Sequence, residues 1–199
     1  MPSPRELSQQ LRKDQSPELN RRRWVTGLSF AGVAAGMAVG LYQMGILRRL
    51  PDLPFEPFDA SKVDASDYAY KRLQTPDGLL MVASYAATAI LAGAGGKDRA
   101  RANPALPIAL LAKTVYDTGT ALKLAQEEWA ENKALCGYCQ TATLASMGSV
   151  ALAAPEALEA FKHLTGRDQD RSAAQTTAET SDVEVEDTRR EPGLAATAA

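Results

Sequence analysis

Ala134-Leu135-Cys136-Gly137-Tyr138-Cys139-Gln140 opens a run without a charged residue that lasts to Pro155. The run is about as long as a helix that crosses a bilayer, roughly 20 residues at 1.5 Å rise. Its polar groups are scattered Ser, Thr and Gln, so no polar face marks it as a surface helix of a soluble domain. Cys136 and Cys139 are the only cysteines of the chain. C-x-x-C at a helix start suits a redox dithiol: two intervening residues let the sulfurs close a small ring, and the unpaired N–H groups of a helix N-terminus stabilise the reactive thiolate. A structural zinc site needs four ligands, and here there is no second C-x-x-C and a single histidine, His163. Two buried, inert cysteines are the remaining alternative.

Two further uncharged runs, Trp24 to Leu47 and Gly78 to Gly96, have the same length class. The mean hydropathy of the whole chain, −0.23, conceals this segregation because the charges lie between and beyond the runs. A net charge of −2 over 199 residues, with no basic face interleaved with aromatics, excludes nucleic-acid binding as a function class. Arg21-Arg22-Arg23 directly before Trp24 reads as the flank of an uncleaved anchor with a cytoplasmic N-terminus, and the first run is longer than a signal-peptide core. Its small residues Gly27, Gly32, Gly36 and Gly40 suit close helix packing.

The organisation follows. Residues 1–20 read as a polar, disordered cytoplasmic tail. A four-helix membrane domain spans 21–162, and 163–199, rich in Asp, Thr, Ala, Glu and Arg, read as a second disordered cytoplasmic tail. Helix one is expected over about 23–47. A long connection, 48–77, begins with the helix-breaking Pro51, Pro54 and Pro57 and carries a short interfacial helix or cap over 59–73. Helix two follows over about 77–95, helix three over about 104–126 and helix four over about 135–154. Glu156 to Lys162 suit a helical continuation past Pro155. Helix three contains Lys113 and Asp117, i and i+4 on one face. They suit either the polar wall of a cofactor pocket or an internal ion pair; Lys123 suits a snorkelling position. The fold class is thus all-α, an integral membrane four-helix bundle with a long outer loop.

Four spans put both termini on one side. Lys and Arg near the N-terminal flank, in the 97–101 turn and after helix four mark that side as cytoplasmic, though the long loop also holds five basic residues. Cys136 and Cys139 then lie at the outer end of helix four, on the side of a bacterial inner membrane where disulfides persist.

This pattern resembles the vitamin K epoxide reductase family: four membrane helices with C-x-x-C at the outer start of the fourth. Ser61-Lys62-Val63-Asp64-Ala65-Ser66-Asp67-Tyr68-Ala69 is similar to the family's loop segment, in which a cysteine precedes a basic–Val pair and a Ser follows. Thr75-Pro76-Asp77-Gly78, leading to Ser84-Tyr85, is similar to the entry to its second helix. The resemblance covers about residues 23–160. It implies a membrane oxidoreductase that couples thiol oxidation to reduction of a quinone, menaquinone, ubiquinone or similar. Cys139, deeper in the helix, would face the quinone and Cys136 would exchange with thiols. Ser66 would assist the centre, and Tyr85, Asp77 and Thr143 would contact the quinone. A periplasmic thioredoxin-like thiol protein is the partner implied, besides membrane lipid. One departure stands out: the family's loop cysteine falls on Ala60, so a two-pair relay is impossible, and no thioredoxin-like segment is fused to this chain. The rival expectation is therefore a redox-inactive membrane scaffold that kept the bundle.

Overall fold

A computed structural model describes residues 3–54 and 56–190, without the side chains of Tyr68 and of 167–190. Among these residues the chain is all-helical: α1 (Pro4–Lys13), α2 (Pro17–Gln43), α3 (Ala60–Asp64), a 3-10 turn (Asp67–Tyr70), α4 (Asp77–Gly93), α5 (Arg99–Ala102), α6 (Ala105–Asn132) and α7 (Gly137–Arg190). The long helices pack side by side, α2 against α4 and α7, and α6 against α7 and α4.

The glycines of α2 set its approach to α4. A Cβ at Gly32 would stand 2.5 Å from the Tyr85 ring, and one at Gly78 would stand 2.4 Å from the Gly40 nitrogen. The small residues thus serve packing, except Gly27, whose Cβ would meet nothing within 4 Å.

Several boundaries differ from the sequence expectation. Residues 4–13 form a helix where a disordered tail is expected, because Ser3 and Glu6 make a reciprocal capping box and Pro4 starts the first turn. This helix folds back on the α4–α5 turn, where the Gln10 amide oxygen accepts the Lys97 N–H at 3.1 Å. Helix one runs from Pro17 to Gln43 rather than over 23–47, since Glu18 to Arg23 can continue the helix beyond the apolar run. Helix three extends to Asn132, six residues past the apolar segment that ends near Gln126. The last helix passes through Pro155 and continues to Arg190, where the sequence suggests disorder from 163; residues 191–199 of that expected tail lie outside the described ones.

One described helix, Pro17–Gln43, is by length and composition apolar enough to cross a membrane, with mean hydropathy 1.6 over its best window; Asp77–Gly93 is apolar but shorter.

At one end of the helices, two arginines are buried. Arg22, 3% exposed, donates to the carbonyls of Ala92, Ala94, Gly95 and Gly96 at 2.8–3.0 Å. Arg99 donates to Leu91 and Ala94 and makes a bidentate pair with Glu156 at 2.7 and 2.8 Å. They satisfy the carbonyls that α4 leaves unpaired at its C-terminus, and their charge suits the negative end of the helix dipole. Arg22, read from the sequence as one of three flanking basic residues, is thus enclosed in the fold.

Candidate active site

The opposite end is built around the start of α7. Lys133 closes α6 in the left-handed region (φ 51°), and the chain turns directly into the C-x-x-C. Leu135 there pairs with the long loop: its N–H donates to Pro57 and its carbonyl accepts from Asp59, both at 3.0 Å. Those two bonds lay α3 over the cysteines.

Further ties hold the loop. Tyr42 donates to the Ser61 carbonyl (3.0 Å), Lys62 to the Asn132 carbonyl (2.8 Å) and Tyr138 to the Pro51 carbonyl (2.8 Å); the Asp52 carboxylate accepts the Ala60 N–H. The 59–73 segment expected as an interfacial helix or cap is realised as α3, the 3-10 turn and this clamp.

Cys136 is the residue before the first turn of α7. Its sulfur accepts the Cys139 N–H at 3.3 Å, the position in which helix N-caps satisfy an unpaired donor. Its own N–H donates to the Glu128 carboxylate, which also accepts from the Gln140 amide at 3.4 Å. Both cysteines are free thiols. Cys136 is 0% exposed, packed with Val39, Leu50, Ala60, Val63 and Ala134, whereas Cys139 is half-buried and opens onto a cavity of about 210 Å³ between α3, α4, α6 and α7.

That cavity collects most of the residues singled out from sequence. Cys139, Tyr85, Asp77 and Thr143 all line it. The Tyr85 hydroxyl is already engaged, donating to the Ala142 carbonyl and bonding Ser146 at 2.7 Å. Thr143 donates to the Cys139 carbonyl at 2.9 Å, and Asp77 accepts the Gln43 amide at 2.6 Å. Leu80, Met81, Ala121 and Leu124 give apolar wall.

Ser66 is not part of the lining; its hydroxyl donates to the Val63 carbonyl at 2.6 Å and closes the end of α3. The Lys113/Asp117 ion pair expected as one alternative is formed. Lys113 Nζ meets Asp117 at 2.5 Å, and Ser84 bonds both, while Ser84 and Asp117 form one end of the cavity wall. Lys123 pairs with Glu127 at 3.7 Å.

Two acids had no individual signal in the sequence. Asp64 is 1% exposed, lines the cavity, and among the described residues its carboxyl faces no hydrogen-bonding group but the Cys136 thiol. Its ligating atom and the two sulfurs lie within 4.8 Å of one another. Burial pushes its carboxyl up to about 7, with the nearby Asp77 and Asp52 adding to the rise. Glu128, past the apolar part of α6, is pushed up by burial to about 8. Glu128 sits in an ordinary charged run, Glu127-Glu128, that gives no hint of burial. With Cys136 and Cys139, Asp64 also supplies three donors of the kinds that bind metals, one fewer than a closed structural zinc site uses.

A family model described as the vitamin K epoxide reductase family matches residues 23–154. The chain belongs to the vitamin K epoxide reductase family. No curated protein and no solved structure matches it. The match begins at Arg23, inside α2, and ends one residue before Pro155 in α7. It therefore takes in the loop, the C-x-x-C and every residue that lines the cavity. Membership in the vitamin K epoxide reductase family suggests membrane-associated thiol–disulfide and quinone chemistry in general terms.

Proposed function

We propose that the protein is a membrane thiol oxidoreductase that passes electrons between a partner dithiol and a quinone through Cys136 and Cys139. The observation that carries this reading is the placement of Cys139 on a largely apolar cavity, with the second sulfur beside it and sealed from solvent.

The reaction balances in two halves. A partner thiolate attacks the Cys136–Cys139 bridge, Cys139 leaves as thiolate, and the second partner thiol resolves the mixed disulfide, leaving both chain cysteines reduced and the partner oxidised. The two cysteines then reform their bridge and give two electrons and two protons to the quinone, yielding the hydroquinone. Cys139 faces the quinone, and Tyr85, Asp77 and Thr143 shape the cavity. The clamp over Cys136 means that the thiol partner must displace the 50–64 loop to reach the sulfur. Ala60, where a loop cysteine would relay electrons, is itself buried in that cluster, so attack by the partner is direct.

In this reading four spans, α2, α4, most of α6 and the first part of α7, cross a bacterial inner membrane. Support comes from the uncharged runs and from the separation of the ends: buried arginines and the basic 97–101 turn at the cytoplasmic end, the cysteines at the outer end. A second reading, a redox-inactive scaffold, draws on the complete burial of Cys136 and on Ala60.

The test uses purified protein in detergent with a dithiol and a soluble quinone, following quinone absorbance for wild type and Cys139→Ala. Loss of turnover in the variant is expected; equal rates favour the scaffold. Labelling of the reduced cysteines from outside the cell, after loop opening by mild denaturant, checks orientation.

A further inference from the structure

We propose that Asp64 is the proton-transfer group of the Cys136–Cys139 couple, taking the Cys136 proton when the bridge forms and supplying one to Cys136 when the bridge opens. This role rests on the oxidoreductase reading and adds to it a residue that does the proton chemistry.

The geometry argues for it in three ways. Asp64 is enclosed, yet its carboxyl has no hydrogen-bonding neighbour among the described residues except the Cys136 thiol. A buried carboxyl is ordinarily satisfied by stronger donors, because leaving it unsatisfied is costly, and here the single group it faces is the thiol whose proton must move. The same carboxylate stands within 4.8 Å of both sulfurs, close enough for direct transfer on a small side-chain movement. Finally, Asp64 lines the cavity that Cys139 opens onto, so a proton taken from Cys136 has a path to a quinone oxygen without passing through the sealed cluster. Its carboxyl, held by burial near 7, is close to neutral pH, where a general acid–base group works best in both directions.

The step balances. When Cys136 sulfur bonds Cys139 sulfur, the two thiols give up two electrons and two protons to the quinone. Asp64 carries the Cys136 proton to one quinone oxygen, and the Cys139 thiol, which faces the cavity itself, supplies the other. That leaves Asp64 as a carboxylate; in the reductive half it takes the proton of the partner's second thiol as that thiol attacks the mixed disulfide, and passes it to the Cys136 sulfur that is displaced.

Other ionisable groups surround it: Asp52 in the loop, Tyr70 at the end of the 3-10 turn and Arg72 after it, Asp77 on α4, Glu128 on α6, Cys136 just before α7, and Tyr138 and Cys139 in its first turn. Glu128 is the one that could imitate the effect, and the test includes it.

The experiment measures oxidation of the reduced full-length protein in detergent from pH 5 to 9, with two oxidants in separate arms. One is a soluble quinone; the other is diamide, a small azo compound that takes the same two electrons and two protons and needs no quinone site. In wild type both rates rise through a transition near pH 7 and then level off. Asp64→Asn is about 100-fold slower at pH 8 and keeps rising with pH without levelling, because hydroxide alone then removes the proton. Asp64→Glu restores the plateau. Glu128→Gln, which still offers an oxygen to the Cys136 N–H, retains the transition. A wild-type diamide profile without a plateau overturns the proposal with no variant needed. So does an Asp64→Asn profile that matches wild type, or a transition lost in Glu128→Gln and kept in Asp64→Asn. A normal diamide arm beside a dead quinone arm would instead sink the quinone reading and leave the proton role standing.

Discussion

Gly78→Ala should open the contact between α2 and α4. The added Cβ would lie 2.4 Å from the Gly40 nitrogen and 2.9 Å from its Cα, against about 3.5–4.0 Å for a relaxed carbon contact. The obstacle is backbone, so no side-chain rotation relieves it, and the helices must separate by on the order of 1 Å. Separation also strips the Tyr85 ring from Gly32 and the Gln43 amide from Asp77 and from the Gly78 N–H, which it accepts at 3.0 Å. Overpacking of this kind costs about 1–3 kcal/mol, and a backbone-to-backbone clash belongs at the top of that range. For a chain of this size each kcal/mol moves Tm by about 2–4 °C, so a fall of about 6–12 °C is expected. Gly27→Ala, on the partner helix α2, is the matched control. Nothing lies within 4 Å of its added Cβ, and alanine is favoured over glycine inside a helix by about 1 kcal/mol, so its Tm should rise by about 2–4 °C. The assay is thermal unfolding in detergent, read by circular dichroism. Equal shifts for the two variants would refute the idea that close approach, rather than glycine content, governs this interface.

Three other outcomes are expected. Asp64 holds its proton to about pH 7 in the folded state and to about 3.8 otherwise, so the folded protein binds more protons between those values and its stability falls as pH rises through them. At about 1.4 kcal/mol per pH unit, Asp64→Asn should be more stable than wild type by up to about 4 kcal/mol at pH 8 and equal to it at pH 4; a difference that does not vary with pH would contradict the burial argument. Glu156→Ala leaves the buried Arg99 guanidinium without its carboxylate and should cost about 3–5 kcal/mol, with Glu156→Gln milder; a change under about 1 kcal/mol, in the range of exposed pairs, would mean that Arg99 is held by the α4 carbonyls alone. Ala60→Cys adds a thiol inside the cluster that encloses Cys136, and mild oxidation should yield a bridge between them by peptide mass spectrometry; an unmodified thiol at that position would show that α3 does not present this residue to Cys136.

Much of this protein could be read from linear pattern. The uncharged runs located α2, α4 and the first part of α7, because a helix that buries most of its surface, in protein or in lipid, cannot carry charge around its circumference. The spacing of Cys136 and Cys139 suggested a redox dithiol, and Thr75 to Tyr85 with Ser61 to Ala69 carried the family resemblance. Helix ends were less legible. The capping box that orders residues 4–13, and the continuation of α6 to Asn132, depend on local bonds that hydropathy does not register. Tyr85, Asp77 and Thr143 were placed by resemblance, and the fold does gather them on one cavity; Ser66, equally suggested, is turned to its own helix end.

The sequence by itself determined the helical class, the family and the single dithiol, since these rest on composition and on residues near one another along the chain. Tertiary structure alone decided that the loop is clamped over Cys136, that Arg22 and Arg99 are enclosed at the far end, and that Asp64 and Glu128 are buried acids beside the sulfurs. Burial is a property of what folds over a residue. Asp64 and Glu128 are distant in sequence from the cysteines they flank, and nothing in their own neighbourhoods records that α3 and the end of α6 close over the start of α7.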